Sequence, residues 1–319
     1  MKKTIISIVT LLVVLAMPCA NAFEFKFRKN TDAPTRAKIL KTQRQEIINL
    51  FNSQVKFADK HDYDNLIKLY SKDFANNDGF NREVYFQLIK DTWETYPDIT
   101  YKVNVKSIDI KPFYVTIEAI ETATATVSAS SNIEDGIGAY GELYIESRCI
   151  YHIQKINGEW KIIAEDVISE KSHLKFGQAK YVPMEFTTPE IAMSGKEYVS
   201  SLVVDLPKGM NAIASIGQAS IKYPQEKPED KYRNISERGL LQRLFNANTE
   251  NLNEYNSATV AVGRVDSDET EMTGAAFLIT RVNVIPVNNY VEDIKTVEEQ
   301  IKEERETLEK RLKGELDGV

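Results

Sequence analysis

The sequence predicts an α+β protein: helices first, then a long-stranded antiparallel sheet, then a β-sandwich-like segment and a charged C-terminal helix. Three observations carry this. Apolar residues recur at helical spacing between about Thr35 and Pro97. After Pro97 the period drops to two and holds through the hairpin that ends near Lys175. Beyond Tyr181, short β-rich runs are bounded by Pro, Gly and Asn.

Residues 1–22 read as a secretory signal. Lys2 and Lys3 precede the apolar run Ile5 to Met17, and Ala20 and Ala22 set a cleavage after Ala22. That run is too short to span a bilayer comfortably. Cys19 raises a lipidated alternative, which Pro18 directly before it fits poorly. Residues 23–34 are expected to be a linker. The formal charge is −7, and cleavage removes two lysines and no acid. An acidic exported protein has no electrostatic reason to bind nucleic acid or anionic lipid. Only Cys149 survives processing, which excludes an intramolecular disulfide.

In "AKILKTQRQEIINLFNSQVKFADKHD", Ile39, Ile47, Leu50, Val55 and Phe57 fall on or near one helix face. "YDNLIKLYSKDF" predicts a second short helix with Leu66, Leu69 and Tyr70 inward. A third helix spans "NREVYFQLIKDTWETYPD", with Asn81 as N-cap, an inner stripe of Val84, Leu88 and Trp93, and Pro97 marking its end. Alternation follows: Val103 and Val105, then Val115 through Val127, then Leu143 through Ile153. A turn at Asn157-Gly158 leads to Trp160, Ile162 and Ala164 on one side.

Three helices containing "DKHDYDNLIKLYSKDF", followed by strands ending in "YHIQKINGEWKIIAED", resemble the nuclear transport factor 2-like superfamily over residues 35–175. The family includes polyketide cyclases, ketosteroid isomerases and many non-enzymatic secreted modules. The resemblance implies a cone fold, in which a curved sheet wraps the helices and leaves a pocket at its wide end. Trp93, Tyr101, Glu121, Cys149 and Tyr151 are then the residues expected to line that pocket. A small apolar or aromatic ligand would suit such walls.

Residues 181–287 contain the β runs "EYVSSLVVDLP", "MNAIASIGQASIKYP", "ATVAVGRV" and "GAAFLITRVNVIP", expected to build a β-sandwich. Between them "ISERGLLQRLFNANTENLNEY" reads as one helix. Residues 289–316 read as a charged helix with Ile294, Val297, Ile301, Leu308 and Leu312 on a stripe, serving either as a surface helix or in self-association.

Chemistry is sparse. His152 shares a strand face with Glu146, Arg148 and Gln154, outside the pocket. His61 lies among Asp59, Asp62 and Asp64, acids that suit caps better than a metal, since no ligand spacing is present. His173 has no sequence neighbour to work with. Cys149, alternating with apolar residues, reads as an inert buried thiol. No metal or cofactor is expected. Glu121 is the exception: it falls on the apolar face between Ala119 and Ala123, where a desolvated carboxylate could serve as a general base. No second acid is sent to the same place by strand parity. The expectation is therefore an exported binding or interaction protein, with a small apolar ligand in the pocket and protein contacts on the sandwich. The alternatives are an isomerase, cyclase or hydrolase using Glu121 as base with Tyr101 or Tyr151 as hydrogen-bond donor, and an envelope scaffold that dimerises through the sheet face or tail.

Overall fold

The computed structural model describes residues 33–111, 113–128, 140–226, 228–236, 238–266 and 269–287. The signal, most of the linker and the charged tail helix lie outside the described residues. The chain divides into two compact units, residues 1–46 and 47–319. Of the first unit, the described part is the opening of helix α1 (Ala33–Asp59), where Ile39 is exposed rather than inward. All strands among the described residues belong to the second unit. No helix among the described residues is long and apolar enough to cross a membrane.

From Ile47 onward α1 buries Ile47, Leu50, Phe51, Gln54 and Ala58, a stripe at spacings of three and four. His61, with φ of 52°, turns the chain out of the helix. The second helix is shorter than its sequence suggests. One turn, α2 (Tyr63–Leu66), is capped by Asp62 accepting from the Asn65 N–H; a 3-10 turn follows, and the chain then extends as β1 (Tyr70–Asn76). Parallel pairing of β1 with β5 overrides the helical pattern there, and Tyr70 and Phe74 are buried from a strand. Helix α3 (Arg82–Thr95) starts where Asn81 Oδ1 accepts from the Val84 N–H at 3.0 Å, and it buries Phe86 and Trp93.

Strands β2 (Thr100–Ile110), β3 (Val115–Ser128), β4 (Tyr140–Ile156) and β5 (Glu159–Gly177) form an antiparallel meander. Asn157 and Gly158, with φ of 52° and 89°, make the tight turn between β4 and β5. Val115, Ile117, Ala119, Cys149, Tyr151, Ile153 and Ile162 share one core with the inner faces of α1 and α3.

The sheet does not stop at β5. The second part of that strand, Lys171–Gly177, pairs with Gly274–Thr280 of β13 (Glu269–Ile285). Through β13 the sheet continues to β12 (Glu254–Asp266), β9 (Met210–Ser220) and the short β10 (Arg233–Asn234). A second sheet, β11 (Leu240–Asn246), β8 (Glu197–Val204) and β6 (Met184–Thr187), lies over this extension, while β7 (Ile191–Met193) runs along the end of β13. Leu202, Val204, Phe186 and Phe245 meet Ile216, Val260, Ala276 and Leu278 in the core between the layers. One layer of this sandwich is thus continuous with the helix-covered sheet.

The helix expected from Ile235 to Tyr255 is instead strand β11, a loop and the start of β12. Leucines at Leu240, Leu241 and Leu244 mimic helical spacing, but all of Leu240–Asn246 pairs with β8. The loop is held by Asn248, whose amide side chain and N–H both donate to Glu254 Oε1 at 2.8 Å.

Candidate functional site

Register brings three strands' side chains to one level. Cys149 faces Ala119 across β3–β4, Glu121 faces Ser147, and Tyr151 faces Glu165 across β4–β5. Tyr151, fully buried, donates to Glu121 Oε1 at 2.6 Å. Glu121, Ser147, Cys149 and Glu165 border a cavity of about 270 Å³. Helix α3 contributes Tyr85, Leu88, Ile89 and Thr92 to its wall, and Ile99, Tyr101, Ala123 and Ile145 add apolar and aromatic surface. A smaller hollow of about 100 Å³ lies between α1 and β2, sharing Tyr85, Ile89, Tyr101 and Glu121 with the larger one.

The far end of the cavity is built by the C-terminal strands. Tyr255 of β12 and Arg281 of β13 line it together with Asp78 and Glu170. The Arg281 guanidinium is buried and bonds both Asp78 oxygens, while Arg281 Nε donates to Asn283 Oδ1 at 2.8 Å. Asn253, in the loop just before β12, donates to the same Asp78 at 2.9 Å, so the pair is fixed from a second side.

Electrostatically the site is dominated by acids that resist ionisation. Burial, then the neighbouring charge of Glu165, pushes Glu121 up to about 8, against a lowering by the Tyr151 hydroxyl. Glu121 retains some accessible surface, which is the surface of the cavity itself. Burial also raises Glu165, although Tyr85, Cys149 and Tyr151 beside it act in the opposite sense. Burial and these two carboxylates raise the Cys149 thiol far above its ordinary range. Tyr101 is raised to about 12 by burial. Three buried polar atoms facing the two hollows have no hydrogen-bond partner: Gln54 Oε1, Trp93 Nε1 and Glu165 Oε2.

Of the five residues expected at the pocket, Tyr101 and Glu121 line both hollows, Cys149 lines the larger and Trp93 the smaller. Tyr151 stands behind Glu121 as its hydrogen-bond donor. Trp93 stacks on His61, ring centroids 4.7 Å apart. His152 faces outward, its Nε2 3.0 Å from Asp166 Oδ2, and His173 stacks on Tyr144. Asp59 accepts from the Tyr101 N–H at 2.8 Å and Asp62 caps α2, so both serve the backbone.

The expectation that no second acid reaches Glu121 is overturned by Glu165. Strict alternation from Ile162 would turn Ala164 inward and Glu165 out. However, His152 pairs with Ala164 and Ile153 with Ile162, leaving Ile163 as an extra residue in β5. This β-bulge reverses the parity, so Glu165 and Val167 are buried. Tyr85, Asp78, Tyr255 and Arg281 also escaped a reading of the sequence, the last two because they come from strands assigned to the sandwich.

No family model matches the chain, and no curated protein matches it. Among solved structures, Bd1075 of Bdellovibrio bacteriovorus is similar at 15% identity and a TM-score of 0.31, over 40% of this chain and 40% of that one. A type 2 hexachlorocyclohexane dehydrochlorinase (LinA) is similar at 15% identity and a TM-score of 0.33, covering 40% of this chain and 84% of the other. A nuclear transport factor 2-like family protein from Streptomyces avermitilis is similar at 9% identity and a TM-score of 0.31, over 40% and 95%.

Proposed function

We propose that this chain is an exported binding protein whose cavity beside Glu121 takes a small, mainly apolar molecule carrying one polar group. The observation that carries this reading is the cavity itself. At about 270 Å³ it lies near the lower end of the usual range for ligand sites. Its walls are mostly apolar or aromatic, with Glu121, Tyr101 and Glu165 among the polar groups on one side and Asp78, Glu170, Tyr255 and Arg281 at the far end. An apolar body against Leu88, Ile89 and Ile145, with a polar group at the carboxyls, satisfies both surfaces. Because β12 and β13 build the far wall, the sandwich takes part in shaping the site.

The test is native mass spectrometry of the protein purified from the envelope fraction of its own host, with the mature N-terminus sequenced. A small-molecule adduct that disappears in Ala123→Phe, which fills the cavity, supports the reading. A clean mass for the wild type, together with no shift in melting temperature across a fragment library, would move the function to the protein's outer surfaces.

A second reading is proton transfer on the bound molecule. Two carboxyls, Glu121 and Glu165, face one cavity, and Tyr151 donates to one of them. One acid can then give a proton while the other accepts. Deuterium exchange into the captured molecule, lost in Glu121→Gln, distinguishes this reading from binding alone.

A further inference from the structure

We infer that Glu121, Cys149 and Glu165 form a site for a divalent metal ion of borderline softness, zinc being the best fit, in the cavity wall. The inference goes beyond the binding reading above and does not require an organic ligand in the cavity.

One donor atom from each of the three residues lies within 4.8 Å of the others. A single point can then be within about 2.8 Å of all three, and a closure of under about 1 Å reaches ordinary Zn–O and Zn–S lengths of about 2.0–2.3 Å. The donors come from three adjacent strands, so their spacing is set by sheet register and the bulge at Ile163 rather than by sequence.

Two features point to a cation. Glu165 is 3% exposed, lines the cavity, and its Oε2 has no hydrogen-bond partner. A buried acceptor left bare costs stability that a bound ion would recover. The second is charge: the basic side chain among the cavity's lining residues, Arg281, is committed to Asp78. Glu121 and Glu165 thus face each other without a partner of opposite sign at the place where a dication would neutralise both.

The donor set selects the ion. Calcium and magnesium take oxygen ligands, whereas a thiolate with carboxylates suits zinc and its neighbours. A metal takes thiolate and carboxylate donors in their deprotonated forms, so binding would release protons to solvent. Tyr151, donating to Glu121 at 2.6 Å, orients a ligand from behind. The cavity supplies an open fourth position, the arrangement of sites that bind a water or substrate.

The experiment uses the full chain carrying Cys19→Ser, so that Cys149 is its single thiol. After chelator treatment and dialysis it is titrated with cobalt(II), followed by zinc. The expected result is a thiolate-to-cobalt charge-transfer absorption that saturates at one equivalent and is bleached by zinc. Glu165→Gln in the same background should bind cobalt at least tenfold more weakly. Absence of the band at saturating cobalt overturns the site, as does one-equivalent binding without it. Unchanged affinity in folded Glu165→Gln overturns it too. If Glu165→Gln does not fold, the band in the parent decides, since the absorption can come only from Cys149.

Discussion

Arg281 and Asp78 are 203 residues apart in the chain and form a buried ion pair at the far wall of the cavity. The pair ties β13, a sandwich strand, to the loop that follows β1, and so makes the two regions depend on each other. Removing the guanidinium leaves a buried carboxylate without its partner, a change that costs about 3–5 kcal/mol. Arg281→Ala should therefore lower the urea midpoint strongly, and Asp78→Asn in the same chain should recover part of the loss. With the Asp78→Asn single variant completing the cycle, a double-variant loss equal to the sum of the two single losses would show that the pair contributes no coupling.

Gly177 ends β5 with φ of 54°, and a Cβ there would come within 2.3 Å of the Thr273 carbonyl oxygen. Gly158 has an equally left-handed φ of 89° but open space around it. Gly158→Ala should cost about 1–2 kcal/mol, the backbone penalty alone. Gly177→Ala should cost clearly more, because it also pushes β13 away where the sheet crosses into the sandwich. Denaturation curves for the two variants make the comparison directly.

The helix-covered sheet was legible because its signals are local. Alternation in β3 and β4, the Asn157-Gly158 turn and the Asn81 cap each declare themselves within a few residues. Glu121 stood out for the same reason, an acid between Ala119 and Ala123. What escaped was non-local. Ile163 is invisible as a bulge until β4 is paired with β5, and without it Glu165 counts as an outward residue. The sharing of one sheet by β5 and β13 depends on pairing across a hundred residues of chain, and Leu240–Asn246 has a helical spacing that only its partner β8 corrects. Arg281 looked like an ordinary strand residue for the same reason.

Glu121 makes metal-free protein sensitive to pH. Its folded-state value of about 8 exceeds the ordinary 4.5, so between these limits the folded state holds more protons than the unfolded state. The contribution to stability is fully present below about pH 4.5 and is lost as pH rises through 8, with a slope of at most about 1.4 kcal/mol per pH unit. In chelator-treated protein, Glu121→Gln should flatten this part of the profile and gain on the wild type as pH rises. Parallel profiles from pH 5 to 9, an interval of about four units around the window, would mean that Glu121 ionises as freely as an exposed carboxyl.

Glu165 tests whether the paired acids exist for packing or for chemistry. Its Oε2 makes no hydrogen bond, and its charge is the second cause, after burial, of the raised Glu121 value. Glu165→Gln keeps the shape and an acceptor for Tyr85 while removing the charge. If the residue served packing alone, this change would be neutral or harmful. Placed instead at a cost to stability, its neutralisation should stabilise metal-free protein at pH 8 by about 0.5–2 kcal/mol, the usual size of a stabilising substitution. The same variant should move the Glu121 titration downward but not to its ordinary value, since burial, the larger cause, is untouched. Carboxyl titration by isotope-edited infrared spectroscopy reads that shift independently of stability. A Glu121 value unmoved by Glu165→Gln would show that the two carboxyls do not share a field, and the paired-acid site would have to be abandoned.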